Sequence, residues 1–206
     1  MTRNNDLTSS SILITSNRPL IQPFSQILQQ GFMLNARLGS TIRDILCKQF
    51  GFGSDYLDSR INTIFLDGKP VDDVDSAIVN AGSVLALSAS MPGFVGAALR
   101  KGGFYASMRG EITHHGGPQQ AQTSNGVFFL KLYNSLILEM GPVFLSQGIL
   151  LDAPDLMSFF SNRSPAFWSA CKTILCNDRQ IDSSYFQTSE WLDTKGIIML
   201  RVDTTG

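Results

Sequence analysis

The residues best suited to chemistry lie between positions 91 and 117, where Arg100, Lys101, Arg109, His114 and His115 stand among glycines and a single acid, Glu111. Glycines let backbone N–H groups approach a ligand, and arginines fork onto carboxylates or phosphates. Arg100, Lys101, Gly102, Gly103, Arg109 and His114 are therefore the candidate anion- or partner-binding residues. The same stretch interleaves Phe94, Val95, Leu99, Phe104, Tyr105, Met108 and Ile112, which a Gly/Ser tether would not carry. Residues 91–126 thus read as an ordered, glycine-rich basic connector. It is either a docking strap with solvated cations or a binding site. On either reading Phe94, Leu99 and Phe104 are expected to be at least partly buried between the units, leaving Arg100, Lys101 and Arg109 around a groove that can accept a carboxylate or phosphate.

Patterns for bond-making chemistry are missing from the sequence. It holds no G-x-S-x-G, no H-E-x-x-H, and no P-loop or dinucleotide fingerprint. Adjacent histidines in a glycine-flanked turn point in different directions and read as surface residues, while Glu111 and His114 read as a local ion pair. Cys47, Cys171 and Cys176 form no C-x-x-C and suit thiols in a reducing cytoplasm, with too few ligands for an iron–sulfur cluster. Neither a metal nor a cofactor is expected. A net charge of −1 offers nucleic acid no field, and no apolar run reaches the roughly 20 residues that span a bilayer. The polar start Met1–Ser11 reads as part of a partly disordered lead over residues 1–21, not as a secretory signal.

Charged residues are only 16% of the 206, against about 25% in an average soluble domain, and there are 14 Phe. That surplus fits a Phe-rich core or a surface covered by a protein partner or a second copy.

A repeat organises the elements that would position these residues. Ser25–Gly31 matches Ser135–Gly141 at Ser, Ile, Leu and Gly, a shift of 135 − 25 = 110, and Ile61–Asp72 lies over Cys171–Asp182 at the same shift. In the first half, Thr41 and Asp44 form a capping box for a helix over residues 41–50 whose Ile42, Ile45, Leu46 and Phe50 share one face. Ile27-Leu28 and Phe32–Leu34 around Gln-Gln-Gly31 predict a hairpin, Asp67-Gly68 a second, and Ser83–Ser88 a last strand. In the second half, Val127–Tyr133 predicts a strand and Ser135–Glu139 a strand or a helix. Asp152–Phe160 predicts a helix capped by Asp152, and Gly196–Val202 a closing strand.

The strings Ser40-Thr-Ile-Arg-Asp-Ile-Leu46, Phe65-Leu-Asp-Gly-Lys-Pro-Val71 and Asn80-Ala-Gly-Ser-Val-Leu-Ala-Leu87 resemble the ubiquitin-like β-grasp proteins, in particular the sulfur carriers of molybdopterin and thiamine synthesis. The resemblance covers about residues 22–92. It implies an α+β fold of tandem β-grasp units: unit 1 at 22–90, the connector at 91–126 and a β-grasp-like unit 2 at 127–206. In those carriers the last strand ends in a Gly-Gly carboxylate that is adenylated and thiolated. Here Leu87 runs on into Ser-Ala-Ser-Met-Pro-Gly93, and the chain closes on Thr-Thr-Gly206. The expectation is a cytoplasmic, non-catalytic adaptor that binds a protein partner or a second copy. A sulfur carrier needing a processed glycine, at Gly103 or Gly117, is the first alternative. An enzyme with an anion-binding cleft at the connector is the second.

Overall fold

The protein is described here from a computed structural model, over residues 8–109, 112–114, 123–192 and 194–204. It belongs to the α+β class, with mixed sheets. In chain order its first half runs β1 (Thr8–Ser16), α1 (Ile21–Gln30), β2 (Phe32–Leu38), β3 (Ser40–Thr41), a helical turn Asp44–Gln49, α2 (Ser54–Ser59), β4 (Thr63–Leu66), β5 (Lys69–Pro70), β6 (Ile78–Val79) and β7 (Val84–Ser88). The connector carries α3 (Gly93–Leu99) and a 3-10 turn, Phe104–Arg109. The second half runs β8 (Ser124–Tyr133), α4 (Leu136–Gln147), β9 (Ile149–Asp152), α5 (Ala153–Ser161), α6 (Pro165–Ala170), β10 (Cys171–Cys176), β11 (Arg179–Gln180), a 3-10 turn Ser183–Gln187, α7 (Ser189–Leu192) and β12 (Ile197–Thr204).

Two compact units share the chain. One is continuous, residues 25–141, and the other is composite, built from 1–24 and 142–206. This division differs from 22–90 and 127–206, because β8 and the connector belong with the first-half strands. It differs also because β1, expected as a disordered lead, is a central strand of the composite unit.

In the continuous unit the sheet order is β2-β8-β7-β4-β5. The β8 and β7 strands run parallel, and every other pair is antiparallel. Asp67 (φ 51°) and Gly68 (φ 78°) both turn left-handed between β4 and β5, as the Asp-Gly pair predicts. Thr41 caps the next helical turn by accepting from the Asp44 N–H at 3.1 Å. This turn is wide: the Phe50 N–H reaches back five residues to the Ile45 carbonyl. Ile42, Ile45 and Leu46 are fully buried. Tyr56 in α2 and Arg60 just after it both donate to the Glu139 carboxylate in the first turn of α4, Tyr56 at 2.8 Å.

In the composite unit the order is β11-β10-β1-β12-β9 with the same pattern of directions, β1 and β12 being the parallel central pair. Ile12 and Ile14 of β1 are buried, paired with Cys176 and Ile174 on one side and Leu200 and Val202 on the other. Stacked rings fill the core around α5: Phe24 on Phe159 at 4.8 Å, Phe160 on Phe186 at 4.3 Å, and Phe186 on Trp168 at 5.1 Å. The hairpin β10–β11 turns through Asn177 and Asp178, both at positive φ, and its pairs Leu175–Gln180 and Cys176–Arg179 stand 110 positions from Phe65–Pro70 and Leu66–Lys69. The two hairpins thus keep the shift of 110, whereas β12 lies between β1 and β9, the place that β8 takes between β7 and β2, so the closing strand of the second half does not stand where β7 stands.

Two local expectations are corrected and one open alternative is resolved. The hairpin at residues 24–38 is α1 followed by β2, because Phe24, Ile27 and Leu28 fall at i, i+3 and i+4 and are buried as a helical face. Ser135–Glu139 resolves as helix, continuing through Pro142. Asp152 sits at the N-cap of α5 but makes no side-chain cap bond.

Two predictions follow from this packing. Ile14→Ala and Leu46→Ala should each cost about 2–5 kcal/mol in urea unfolding, as truncations of fully buried aliphatics. Arg60, chiefly, and Tyr56 lower the Glu139 carboxyl from 4.5 to about 2. A depressed carboxylate stabilises the fold above its ordinary pKa and loses that contribution as pH falls through the folded value. The melting-temperature gap between wild type and Glu139→Gln should therefore be widest above pH 4.5 and close as pH approaches 2.

Candidate functional site

Strand register gives the sheet of the continuous unit two different faces. Ile64–Leu87–Leu132 and Leu66–Leu85–Leu130 are cross-strand rows on the buried face, each side chain 0% exposed. On the other face the rows are Thr63–Ser88–Tyr133 and Phe65–Ala86–Lys131. Here β7 contributes small side chains, Ala86 and Ser88, between larger ones on β4 and β8. A concavity results.

This groove has a volume of about 570 Å³, within the range of small-molecule sites, and Met91 and Pro92 form part of its lining. Asn134, at positive φ after β8, fixes that end by donating to Ser88 Oγ (2.9 Å) and to the Ser90 carbonyl (2.7 Å). Thr63 is only 1% exposed, and its buried hydroxyl oxygen has no hydrogen-bond partner among the described residues. The sequence reading missed this site. Its signal was the pair Ala86-x-Ser88, small residues on the outward face of a central strand.

Beside the groove lies the connector. Arg109, expected around an open groove, is 7% exposed. Its Nη2 donates to Asp72 Oδ1 at 2.7 Å and the Arg100 carbonyl at 3.2 Å, its Nε to the Ala98 carbonyl at 2.7 Å, and its Nη1 to Thr113 Oγ1 at 3.0 Å. This guanidinium is bound internally because a buried charge needs both a counter-charge and acceptors. Asp72 also accepts from the Gly102 N–H at 2.9 Å.

Arg100, Lys101, Gly102 and Gly103 do come together, lining a polar cleft of about 490 Å³ with Asp58. Lys101 donates its ammonium to the Leu57 carbonyl at 2.9 Å, and burial pushes its pKa down, with Asp58 opposing. Asp58 itself is engaged by Arg43, which holds its carboxyl below the ordinary range. The Gly103 N–H donates to the Arg100 carbonyl, so the Gly102-Gly103 pair is a hydrogen-bonded turn. His114 sits apart from the cleft, half-buried, its N–H on the Pro70 carbonyl and its Nδ1 buried without a partner among the described residues. Glu111, His115, Gly116-Gly117 and Gly206 lie outside the described residues.

The aromatic side chains of the connector reverse the expectation. Phe94 is 70% and Phe104 90% exposed, and Leu99 is half-buried. Among the described residues, five of the seven exposed large apolar side chains, Met91, Phe94, Val95, Phe104 and Ile112, are on this one segment, and the other two are Phe129 and Leu138. Phe94 and Phe104 each meet the Tyr105 ring edge-on, at 5.4 and 5.2 Å, making an aromatic ridge. Burial pushes the Cys171 thiol up to about 11 and raises that of Cys176, leaving both weak nucleophiles. Among the described residues no three His, Cys, Asp or Glu side chains gather as metal ligands, and no helix is long and apolar enough to cross a membrane.

Arg109→Met should lower stability by about 2–4 kcal/mol, since it unpairs two buried carbonyls and part of Asp72. Arg100→Glu, on an exposed side chain, should leave the melting temperature within a degree or so. Differential scanning calorimetry of the two variants checks both.

No protein family, curated protein or solved structure matches this chain, so the functional reading rests on the geometry just described.

Proposed function

We propose that the chain is a non-catalytic protein-binding module of two ubiquitin-like, β-grasp units, whose contact surface is the aromatic ridge of the connector. The single observation that carries this reading is the gathering of Phe94, Val95, Phe104 and Ile112, 57–90% exposed, on one short segment. Exposed apolar side chains scattered singly need no explanation, whereas a contiguous set marks an interaction surface. Aromatic residues bury much area for little lost side-chain freedom, which is why they dominate binding energy at interfaces. A mixed five-stranded sheet in each unit, with an edge hairpin turned through two left-handed residues, supports the β-grasp assignment. The partner is a protein with an apolar recess, or a second copy of this chain.

Placing a photo-crosslinking phenylalanine at position 94 in the native host, with exposed Lys172 as a control position, tests the reading. A discrete adduct from position 94, absent from 172 and lost when Phe104→Ser is added, is expected. Adduct mass at twice the chain identifies a second copy. Equal, diffuse labelling from both positions would refute the reading.

A further inference from the structure

The sheet-face groove does not end at its rim. A smaller cleft of about 220 Å³ shares Thr63 and Met91 with it and adds Asn62, Gly96 and Arg100. The two linings together contain two charged side chains, Lys131 and Arg100, and no carboxylate. An anion is therefore favoured, and a cation or zwitterion is not.

The floor and walls decide what the rest of the ligand is. Among the described residues β7, the floor of the groove, is paired along its length with β4 on one side and β8 on the other, so its backbone N–H and C=O groups are taken up within the sheet. An extended peptide lying there would leave its own amides unpaired, at a cost that hydrocarbon does not carry. Where the groove meets the cleft, the buried Thr63 hydroxyl has no partner among the described residues, and Arg100 stands across the same cleft with no side-chain hydrogen bond or ion pair among them. The neighbouring Asn62 amide is already given to the Ala89 carbonyl at 2.6 Å. A donor hydroxyl and a guanidinium fork are what one carboxylate takes.

We propose that the groove and cleft together bind a single-chain amphiphile with an acid headgroup, a free fatty-acid monomer, its carboxylate between Thr63 and Arg100 and its hydrocarbon over Ala86 against Phe65. This site faces the inner side of the segment whose exposed ridge was assigned to a partner, and it needs no partner to fill. The two readings therefore fail separately.

Isothermal titration of the full chain with hexanoate, octanoate, decanoate and dodecanoate, each below its micelle concentration, is the test. Affinity should rise about three- to fourfold per added methylene until the groove is full. Arg100→Gln should weaken decanoate at least tenfold while decanol binding hardly changes, because the guanidinium meets only the carboxylate. Ala86→Leu, which fills the floor, should weaken decanoate and decanol alike, and a melting curve verifies that this variant is folded. Thr63→Val keeps the shape and removes the donor, and a several-fold loss is expected for the acid alone. Binding seen only above the micelle concentration, or an affinity that neither chain length nor Arg100→Gln alters, would overturn the proposal.

Discussion

The ion pair of Arg109 with Asp72 is the interaction on which the functional surface depends. The connector cannot be held by the usual means, since its largest apolar side chains face solvent. What remains is a polar hub. One guanidinium collects the carbonyls of Ala98 and Arg100, the Thr113 hydroxyl and the Asp72 carboxylate, and so ties the end of α3, the glycine turn and the 3-10 turn to the hairpin of β4 and β5. Such a hub is worth little beyond a hydrophobic contact of equal size, but breaking it is costly, because the charge left behind is buried. Gly96 completes the arrangement: a Cβ there would lie 1.8 Å from the Met91 carbonyl oxygen, so only glycine lets α3 fold back so tightly. The same fold-back shapes both the ridge outside and the cleft within.

The two hairpins show how one local plan is put to different uses. Each turns through two left-handed residues and closes on an Asp, at 72 and at 182. Asp182 caps the turn that follows it, accepting from the Ser184 N–H at 2.9 Å. Asp72 instead reaches the connector. The composite unit departs in another way, by taking a central strand from the far N-terminus: Ile14 pairs with Ile174, 174 − 14 = 160 positions away. Contacts of that separation close a long loop before they stabilise anything, a cost that local pairings such as the two hairpins do not carry.

Local chemistry was legible in the sequence where a residue type has one cheap conformation. Asp67-Gly68 can hardly be other than a tight turn, Thr41 accepts from the Asp44 N–H at the start of a helical turn, and the helix expected over Asp152–Phe160 is α5. The repeat shift of 110 located both hairpins. What failed was non-local. The strand β1 hides in a polar run because its pairing partners are distant in sequence. The helix α1 was misread because Gln29-Gln30-Gly31 looks like a turn, although Phe24, Ile27 and Leu28 keep helical spacing. At the candidate site, glycine and cation content drew attention to the connector, and Arg100, Lys101, Gly102 and Gly103 do line one cleft. Composition could not reveal that Arg109 faces inward or that the Phe side chains face outward, since both depend on the position of Asp72. The groove was invisible for the same reason: its rows assemble from β4, β7 and β8 only once register is set.

Amide hydrogen exchange on the full chain tests most directly whether the connector is an ordered part of the continuous unit. The N–H groups of Lys101, Gly102, Ala106 and His114 donate to the Asn62 carbonyl, the Asp72 carboxylate, and the Gly103 and Pro70 carbonyls respectively. Their protection should stand orders of magnitude above that of free chain and collapse together when Asp72 is changed to Ala. Exchange of these amides at the rate of unstructured polypeptide in the unmodified protein would contradict it, and with it the ridge and the cleft.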